Sequence, residues 1–237
     1  MNFLKAYHRF TRHRYYSLFL ALPLFIMYES GIIWVHHNAR FSARNLVDVI
    51  IKKFISYFDS SGFFACSVFA FLLVILIIRP KQDVLLFRAS YFLLMVFESF
   101  MLALILAFTA QKSSMFFLSV SIIKSDTVAN IILSLGAGIY EELFFRVVLF
   151  GSLVYFLKKI MNIPLFVSIV FSAMISSALF SLSHYGGSYG DQWSLYSFCY
   201  RFVSGIFFCL LYRARGFAVA AHTHALYDIF IALNLFK

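Results

Sequence analysis

The chain has 237 residues, of which 62% are hydrophobic and only 13% are charged. A soluble globular domain typically contains about 25% charged residues, so this composition excludes that class and predicts an all-α, polytopic bundle of membrane helices. Lys and Arg outnumber Asp and Glu by 20 to 10, but the basic residues lie in short connections between apolar segments, which indicates membrane topology and not nucleic-acid binding.

The first part of the chain is predicted to contain three spans and one surface helix. An apolar segment from Tyr15 to about Val35 follows a basic N-terminal stretch. It is longer than the apolar part of a signal peptide, so we expect an uncleaved span with a cytoplasmic N-terminus. From His36 to Asp59 apolar residues recur every three or four positions, which predicts an amphipathic helix in the membrane interface. Gly62–Ile78 and Phe87–Ala110 are the second and third predicted spans, and the third contains a lone acid, Glu98.

Four further spans are predicted after a short apolar piece at 115–123, which is too short to cross a bilayer. The first of them is one long helix from Thr127 to about Leu157, followed by Pro164–Leu182, Trp193–Tyr212 and Phe217–Phe236. About seven transmembrane helices plus the interfacial helix result. With the N-terminus in the cytoplasm, this count places the basic connections on the cytoplasmic side of what we expect to be the cell inner membrane.

Three charged residues interrupt the long helix: Glu141, Glu142 and Arg146. A charge at the bilayer centre costs at least about 2.5 to 3.5 kcal/mol on insertion scales, so each needs a partner or a function. Residues four apart share a helix face, so Glu142 and Arg146 are predicted to pair. Glu141 is rotated by about 100° from Glu142 and lacks a local cation, which makes it the candidate general base. The alternative is an ion pair and a buried acid that only fix helix packing.

Two later helices carry titratable side chains with a partner four residues away. Phe180 precedes His184 by four, so the phenyl ring can pack over the imidazole. His224 precedes Asp228 by four, so the carboxylate can hold one imidazole nitrogen and set the tautomer. His222 is about 200° from His224 around a regular helix, and we assign it either to packing or to the support of residues that line the site. Together with the glutamate pair, these residues predict a polar cavity between three helices.

The three patterns, in this order on successive apolar helices, resemble the motifs of the CPBP family, which contains CAAX prenyl endopeptidases and bacteriocin-processing or immunity proteins: Glu141-Glu142-x-x-x-Arg146, Phe180-x-x-x-His184 and His224-x-x-x-Asp228. The resemblance covers about 127–236, the predicted catalytic core, while 1–126 is recognised only as membrane helices of one integral domain, 1–237. It implies a glutamate-type intramembrane endopeptidase that needs no cofactor. The implied substrate is a membrane-associated protein, cleaved near its C-terminus.

The resemblance also implies roles for single residues. Glu141 would activate a water molecule, assisted by His184, and His224 would stabilise the oxyanion. The supporting residues would be Glu142, Arg146, Phe180 and Asp228. The family usually has Asn or a similar residue at the last motif position, and Asp228 in its place leaves open whether His224 acts as a donor or as a base.

Other functions are compatible with parts of the pattern. Two histidines and a glutamate can also bind zinc, although no HExxH motif is present. A non-catalytic immunity or scaffold protein of the same fold would bind a peptide in the cavity without cleaving it. A proton-coupled transporter would use the buried carboxylates as a relay, but no inverted repeat is visible. The sequence specifies neither the substrate nor the oligomeric state.

Overall fold

The computed structural model describes residues 3–37, 45–56, 88–112, 127–186, 190–233 and 235, and every regular element in these ranges is a helix. This confirms the predicted all-α class. The helices are α1 (Phe3–Thr11), α2 (Arg14–His37), α3 (Leu46–Ser56), α4 (Ala89–Lys112), α5 (127–160), α6 (Leu165–Ser183), α7 (Leu195–Arg215) and α8 (Phe217–Ala232).

Four of the described helices are long and apolar enough to cross a membrane: Tyr16–Val35, Ala89–Thr109, Leu165–Ser183 and Leu195–Arg215. They correspond closely to the predicted first, third, fifth and sixth spans. Helix α8 is apolar but shorter. The predicted second span, Gly62–Ile78, and the apolar piece 115–123 lie outside the described residues, so the total of about seven spans stays a prediction.

The long helix α5 contains the glutamate pair and is not a regular α-helix throughout. Its segment Ala137–Phe150, 14 residues long, is π-helical. A π-helix bonds residues five apart, which widens the turn, and such segments are frequent at functional sites. The sequence prediction assumed regular α-helical geometry here, because an apolar run does not reveal this difference.

Helix α8 lies at the centre of the bundle and packs against α2, α4, α5 and α7. Its first half is lined by alanines, and Ala218, Ala220 and Ala221 are completely buried. Small side chains allow neighbouring helix backbones to approach closely. At Gly138 of α5 the approach is closest, since a Cβ atom there would lie 2.5 Å from the carbonyl oxygen of Ala221. The glutamate-bearing turn of α5 is therefore in direct contact with α8.

The N-terminal helices pack directly on the C-terminal ones. Glu98 of α4 accepts two hydrogen bonds from Arg215 at the end of α7, at 2.5 and 2.7 Å, and one from the Tyr7 hydroxyl of α1, at 2.6 Å. Burial, reinforced by Glu98, raises the pKa of the Tyr7 hydroxyl. Glu98, which the sequence left as a lone acid, thus joins α1, α4 and α7.

The predicted amphipathic helix is present as α3, which begins at Leu46; positions 38–44 and 57–59 of the predicted range lie outside the described residues. Val47 and Asp48 are buried, and α3 packs against the π-helical segment of α5. Asn45 caps this helix, because its side-chain Oδ1 accepts a hydrogen bond of 2.9 Å from the backbone N–H of Val47. The surface helix is therefore also part of the bundle, next to the glutamate pair.

Candidate active site

The structure brings the site residues predicted from sequence together from three helices. Glu141 and Glu142 come from the π-helical segment of α5, His184 is the residue after α6, and His224 and Asp228 lie on α8. The close contact at Gly138 brings α5 near enough to α8 for side chains of the two helices to hydrogen-bond. The polar residues of the three helices thus lie in one cluster, as the sequence predicted.

His224 is at the centre of this cluster. Its Nδ1 lies 2.8 Å from Oε1 of Glu142, which is hydrogen-bond distance. Its Nε2 lies 3.6 Å from Oδ2 of Asp228 and 3.9 Å from Oε2 of Glu141. The sequence prediction gave the role of holding the imidazole to Asp228, whereas the structure gives the direct hydrogen bond to Glu142. The separations of Nε2 from Asp228 and from Glu141 are too long for a direct hydrogen bond, and a water molecule can bridge polar groups at such distances.

Arg146 holds Glu142 from the other side. Its Nε is 3.2 Å from Oε2 of Glu142, and both side chains are 0% exposed, so the predicted pair exists. The guanidinium carbon lies 4.3 Å from the ring centroid of Phe180 and 5.4 Å from that of Phe208, within cation–π range. Glu142 therefore uses one carboxylate oxygen to bind the Arg146 cation and the other oxygen to bind His224.

Two phenylalanines form the walls around the histidines. The Phe180 ring lies edge-on to His184 at 5.0 Å and to His224 at 5.9 Å, so the predicted packing of Phe180 on His184 is present. Phe208 of α7 stacks on His224 at 4.7 Å with an interplanar angle of 22°. The sequence did not single out Phe208, because one phenylalanine among 32 carries no signal.

His184 presents one defined nitrogen to the site. Its Nδ1 is 2.9 Å from the carbonyl oxygen of Phe180, and a carbonyl can only accept, so Nδ1 carries the proton. In the neutral ring Nε2 is then the nitrogen that can accept a hydrogen bond or a proton. His184 interacts electrostatically with Glu141, Arg201 and His224, and the Phe180 ring contacts both histidines.

Glu141 is held by a residue that sequence reasoning missed. Its Oε1 accepts a hydrogen bond of 2.7 Å from the Asn45 carboxamide, while its Oε2 is buried without a hydrogen-bond partner among the described residues. Asn45 lies 96 positions earlier in the chain. The predicted amphipathic helix at 36–59 included Asn45, so the sequence offered no signal for the cap or for the contact with Glu141.

A second charged pair borders the site. Arg201 of α7 forms an ion pair with Asp191, and its guanidinium lies 5.6 Å from the ring centroid of Tyr185. Arg201 is in electrostatic range of both His184 and Asp228. These residues lie at the end of α6 and the start of α7, which is the same end of the bundle as Asn45.

The remaining predictions concern metals and His222. Within the ranges that the structure describes, no three His, Cys, Asp or Glu side chains are grouped so that they could hold a metal ion. Nδ1 of His222 lies 2.9 Å from the carbonyl oxygen of Ala218 in its own helix. His222 thus binds its own backbone and not the glutamate–histidine cluster.

Comparison with known proteins agrees with the motifs. No curated protein and no solved structure matches the chain. The family model described as Type II CAAX prenyl endopeptidase Rce1-like matches residues 124–230, a segment that contains all three motifs. The resemblance to the CPBP family is thereby confirmed. Residues 124–230 of this integral membrane protein thus match the Rce1-like family of CAAX prenyl endopeptidases, which is generally a protease family.

Proposed function

We propose that this protein is a glutamate-type intramembrane endopeptidase that hydrolyses a peptide bond of a membrane-associated protein, near its C-terminus. The observation that carries the proposal is the arrangement of Glu141 between Asn45 and His224. One oxygen of the carboxylate is held at 2.7 Å, and the other faces Nε2 of His224 across 3.9 Å. A water molecule in this space would contact a base and a donor at once.

The proposed reaction uses one water molecule and no covalent enzyme intermediate. Oε2 of Glu141 takes a proton from the water, and the water oxygen bonds to the carbonyl carbon of the peptide. His184, through Nε2, accepts a hydrogen bond from the second water proton and orients the nucleophile. The C–N bond then breaks, and Glu141 returns its proton to the leaving amine, so that one carboxyl and one amine terminus form.

His224 is the proposed donor to the tetrahedral oxyanion, through Nε2. Glu142 lies at Nδ1 and Asp228 near Nε2, so a ring protonated on both nitrogens has a carboxylate for each proton. A positioned base contributes about 10²- to 10⁴-fold in rate. Loss of one oxyanion donor costs about 10²- to 10³-fold.

No metal is required in this proposal. The supporting observations are that Glu142 and Arg146 occupy the Nδ1 side of His224, and that no three His, Cys, Asp or Glu side chains in the described ranges are grouped so that they could hold a metal ion. Cleavage should therefore persist after exhaustive chelation. Loss of cleavage on chelation, restored by zinc, would favour the metalloprotease alternative.

The first test compares cleavage by the wild type with cleavage by Glu141→Gln and His224→Ala. Both variants should accumulate in membranes, and both should lose cleavage by at least about 100-fold. His222→Ala is the matched control, because His222 lies on the same helix as His224 and its Nδ1 hydrogen-bonds the carbonyl oxygen of Ala218 in that helix. It should retain activity.

Because the substrate is unknown, the readout is the membrane proteome of cells with wild-type or Glu141→Gln protein, searched for C-termini that depend on Glu141. Once one such substrate is known, the same cleavage can be followed with purified protein in detergent. Identical proteomes for the two would contradict the peptidase and favour a peptide-binding scaffold of the same fold. Proton uptake coupled to transport in proteoliposomes, without cleavage, would favour a transporter.

A further inference from the structure

Asn45 lies outside the segment that matches the protease family, yet its side chain contacts the candidate base. Its two side-chain atoms do different things. Oδ1 accepts from the backbone N–H of Val47 at 2.9 Å and caps α3, while Nδ2 donates to Oε1 of Glu141 at 2.7 Å. The cap fixes the direction of the carboxamide, so that its N–H is presented to Glu141.

The backbone around Asn45 is fixed by a buried network. The Tyr28 hydroxyl donates to Oδ2 of Asp48 at 2.7 Å and accepts from the backbone N–H of Asn45 at 3.4 Å. Tyr28 and Asp48 are both 0% exposed. The Tyr28 ring also lies edge-on to Tyr140, with centroids 5.4 Å apart. Helices α2 and α3 are therefore tied to the residue immediately before Glu141.

The second observation concerns the other carboxylate oxygen of Glu141, Oε2. Oε2 is buried with no hydrogen-bond partner within the described part of the chain. Leaving a buried acceptor unsatisfied is destabilising, and a bound water or a catalytic role is among the explanations for such an atom in a folded protein. A carboxylate with one oxygen tied and the other open has a single direction in which it can act.

We propose that Asn45 is a positioning residue for Glu141, and that docking of α3 on the bundle completes the active site. This inference deepens the proposed endopeptidase function and rests on it. The carboxamide holds Oε1, so Oε2 faces His224 and the water that is to be deprotonated. The catalytic geometry thus depends on the N-terminal half of the protein as well as on the family segment.

The test uses two substitutions that both keep the helix cap, because Asn, Asp and Ser are comparably good N-caps. Asn45→Ser removes the donor to Glu141 and should lower kcat about 10- to 100-fold, the effect of losing one hydrogen bond to a charged group, with little change in KM. Asn45→Asp places a second carboxylate at Oε1 of Glu141.

The Asn45→Asp variant should also shift the pH profile. Two carboxylates at hydrogen-bond distance share a proton, which raises the pKa of one of them. The acidic limb of the pH profile of kcat/KM should therefore move to higher pH. The titratable groups that surround Glu141 are the same in both variants: His184, His224, Asp228 and Glu142. A merely structural role of Asn45 would lower stability without moving this limb.

Wild-type kcat and an unshifted pH profile in both Asn45 variants, with Glu141→Gln inactive, would overturn this inference and leave the proposed function intact. Normal cleavage by Glu141→Gln would instead overturn the proposed function.

A double-mutant cycle of Asn45→Ser and Glu141→Ala tests the contact without an activity assay. The quantity measured is the melting temperature of the full chain in detergent. The combined shift should differ from the sum of the single shifts, because both substitutions remove the same contact. Additive shifts would overturn the contact on which the inference is built.

Discussion

At the scale of single residues, Arg146 and Glu142 carry the most buried charges of the site. Both are completely buried, so the bilayer solvates neither group and each depends on the other. Removing one partner of such a pair leaves an uncompensated charge and typically costs about 3 to 5 kcal/mol. Arg146 also lies on the ring of Phe180, which links the cation to the wall beside His184.

We therefore expect Arg146→Ala to lower the free energy of unfolding in detergent by about 3 to 5 kcal/mol and to abolish cleavage, because Glu142 would no longer be held at His224. Arg146→Lys keeps the charge but loses the planar group over Phe180, and should retain part of the stability. Arg213→Ala, at an exposed arginine of α7, is the control and should change stability by less than about 0.5 kcal/mol. Equal effects at positions 146 and 213 would contradict the role assigned to the buried pair.

The sequence predicted the site residues that are conspicuous in an apolar helix. Glu141, His184 and His224 stand out because a titratable group in lipid is costly. The contact between Glu142 and His224 could not be predicted, since it joins two helices across 82 positions of the chain and Glu142 lies in a π-helical segment that the apolar run does not reveal. Asn45 could not be found either, because it is neutral, distant in sequence and lies inside the range 36–59 that was predicted to be one amphipathic helix.

At the scale of secondary structure, the α5–α8 contact sets the separation of the glutamates from His224. Gly138 allows this contact, because any side chain there would meet the backbone of Ala221. By contrast, a Cβ at Gly151, farther along the same helix, would have its nearest neighbour at 3.7 Å. The two glycines thus form a matched pair, one at a crowded position and one at an open position.

Gly138→Ala should separate α5 from α8 and lower kcat about 100-fold, the cost of a displacement of roughly 1 Å in a catalytic site. Gly151→Ala should leave kcat unchanged and stabilise the protein slightly, since alanine is the better helix former. The measurements are the cleavage rate and the melting temperature in detergent. A Gly138→Ala variant with wild-type kcat would show that the site tolerates a wider helix spacing.

Helix positions were predictable from hydropathy alone, and their internal geometry was not. The boundaries of α2, α4, α6 and α7 follow the predicted spans closely, because the ends of an apolar run are marked by charged or aromatic residues. The contact of α3 with α5 was not predicted. An amphipathic pattern identifies an apolar face, but it does not distinguish lipid from protein as the surface that covers the face.

At the scale of the whole molecule, the two ends of the bundle differ. One end contains α1, the start of α8 and the end of α7, joined by the hydrogen bonds of Glu98 and by one from the backbone of Ala218 to the Ser17 hydroxyl, at 2.9 Å. It also carries exposed basic residues: Lys5, Arg9, Arg12, Lys158, Lys159 and Arg213. Asn45 and His184 lie towards the other end, where α2 and α6 finish.

If the basic end is cytoplasmic, as the positive-inside rule predicts, the site opens on the opposite face of the membrane. Cysteine labelling tests this arrangement. The three native cysteines, Cys66, Cys199 and Cys209, are first replaced by serine, and one new cysteine is then introduced by either Gln192→Cys or Lys158→Cys. A membrane-impermeant maleimide should label position 192 in intact cells and position 158 only after lysis. The reverse pattern would place the site on the cytoplasmic face.

The hydrogen bond from Asn45 has a consequence for recognising active members from motifs. A fragment that starts at residue 124 would contain every signature of the hydrolase and would pass any motif-based search. It would nevertheless lack the Asn45 amide that holds Oε1 of Glu141, the base in the proposed mechanism. Whether such a protein has a complete site therefore has to be judged from the helix that precedes the three motifs as well as from the motifs themselves.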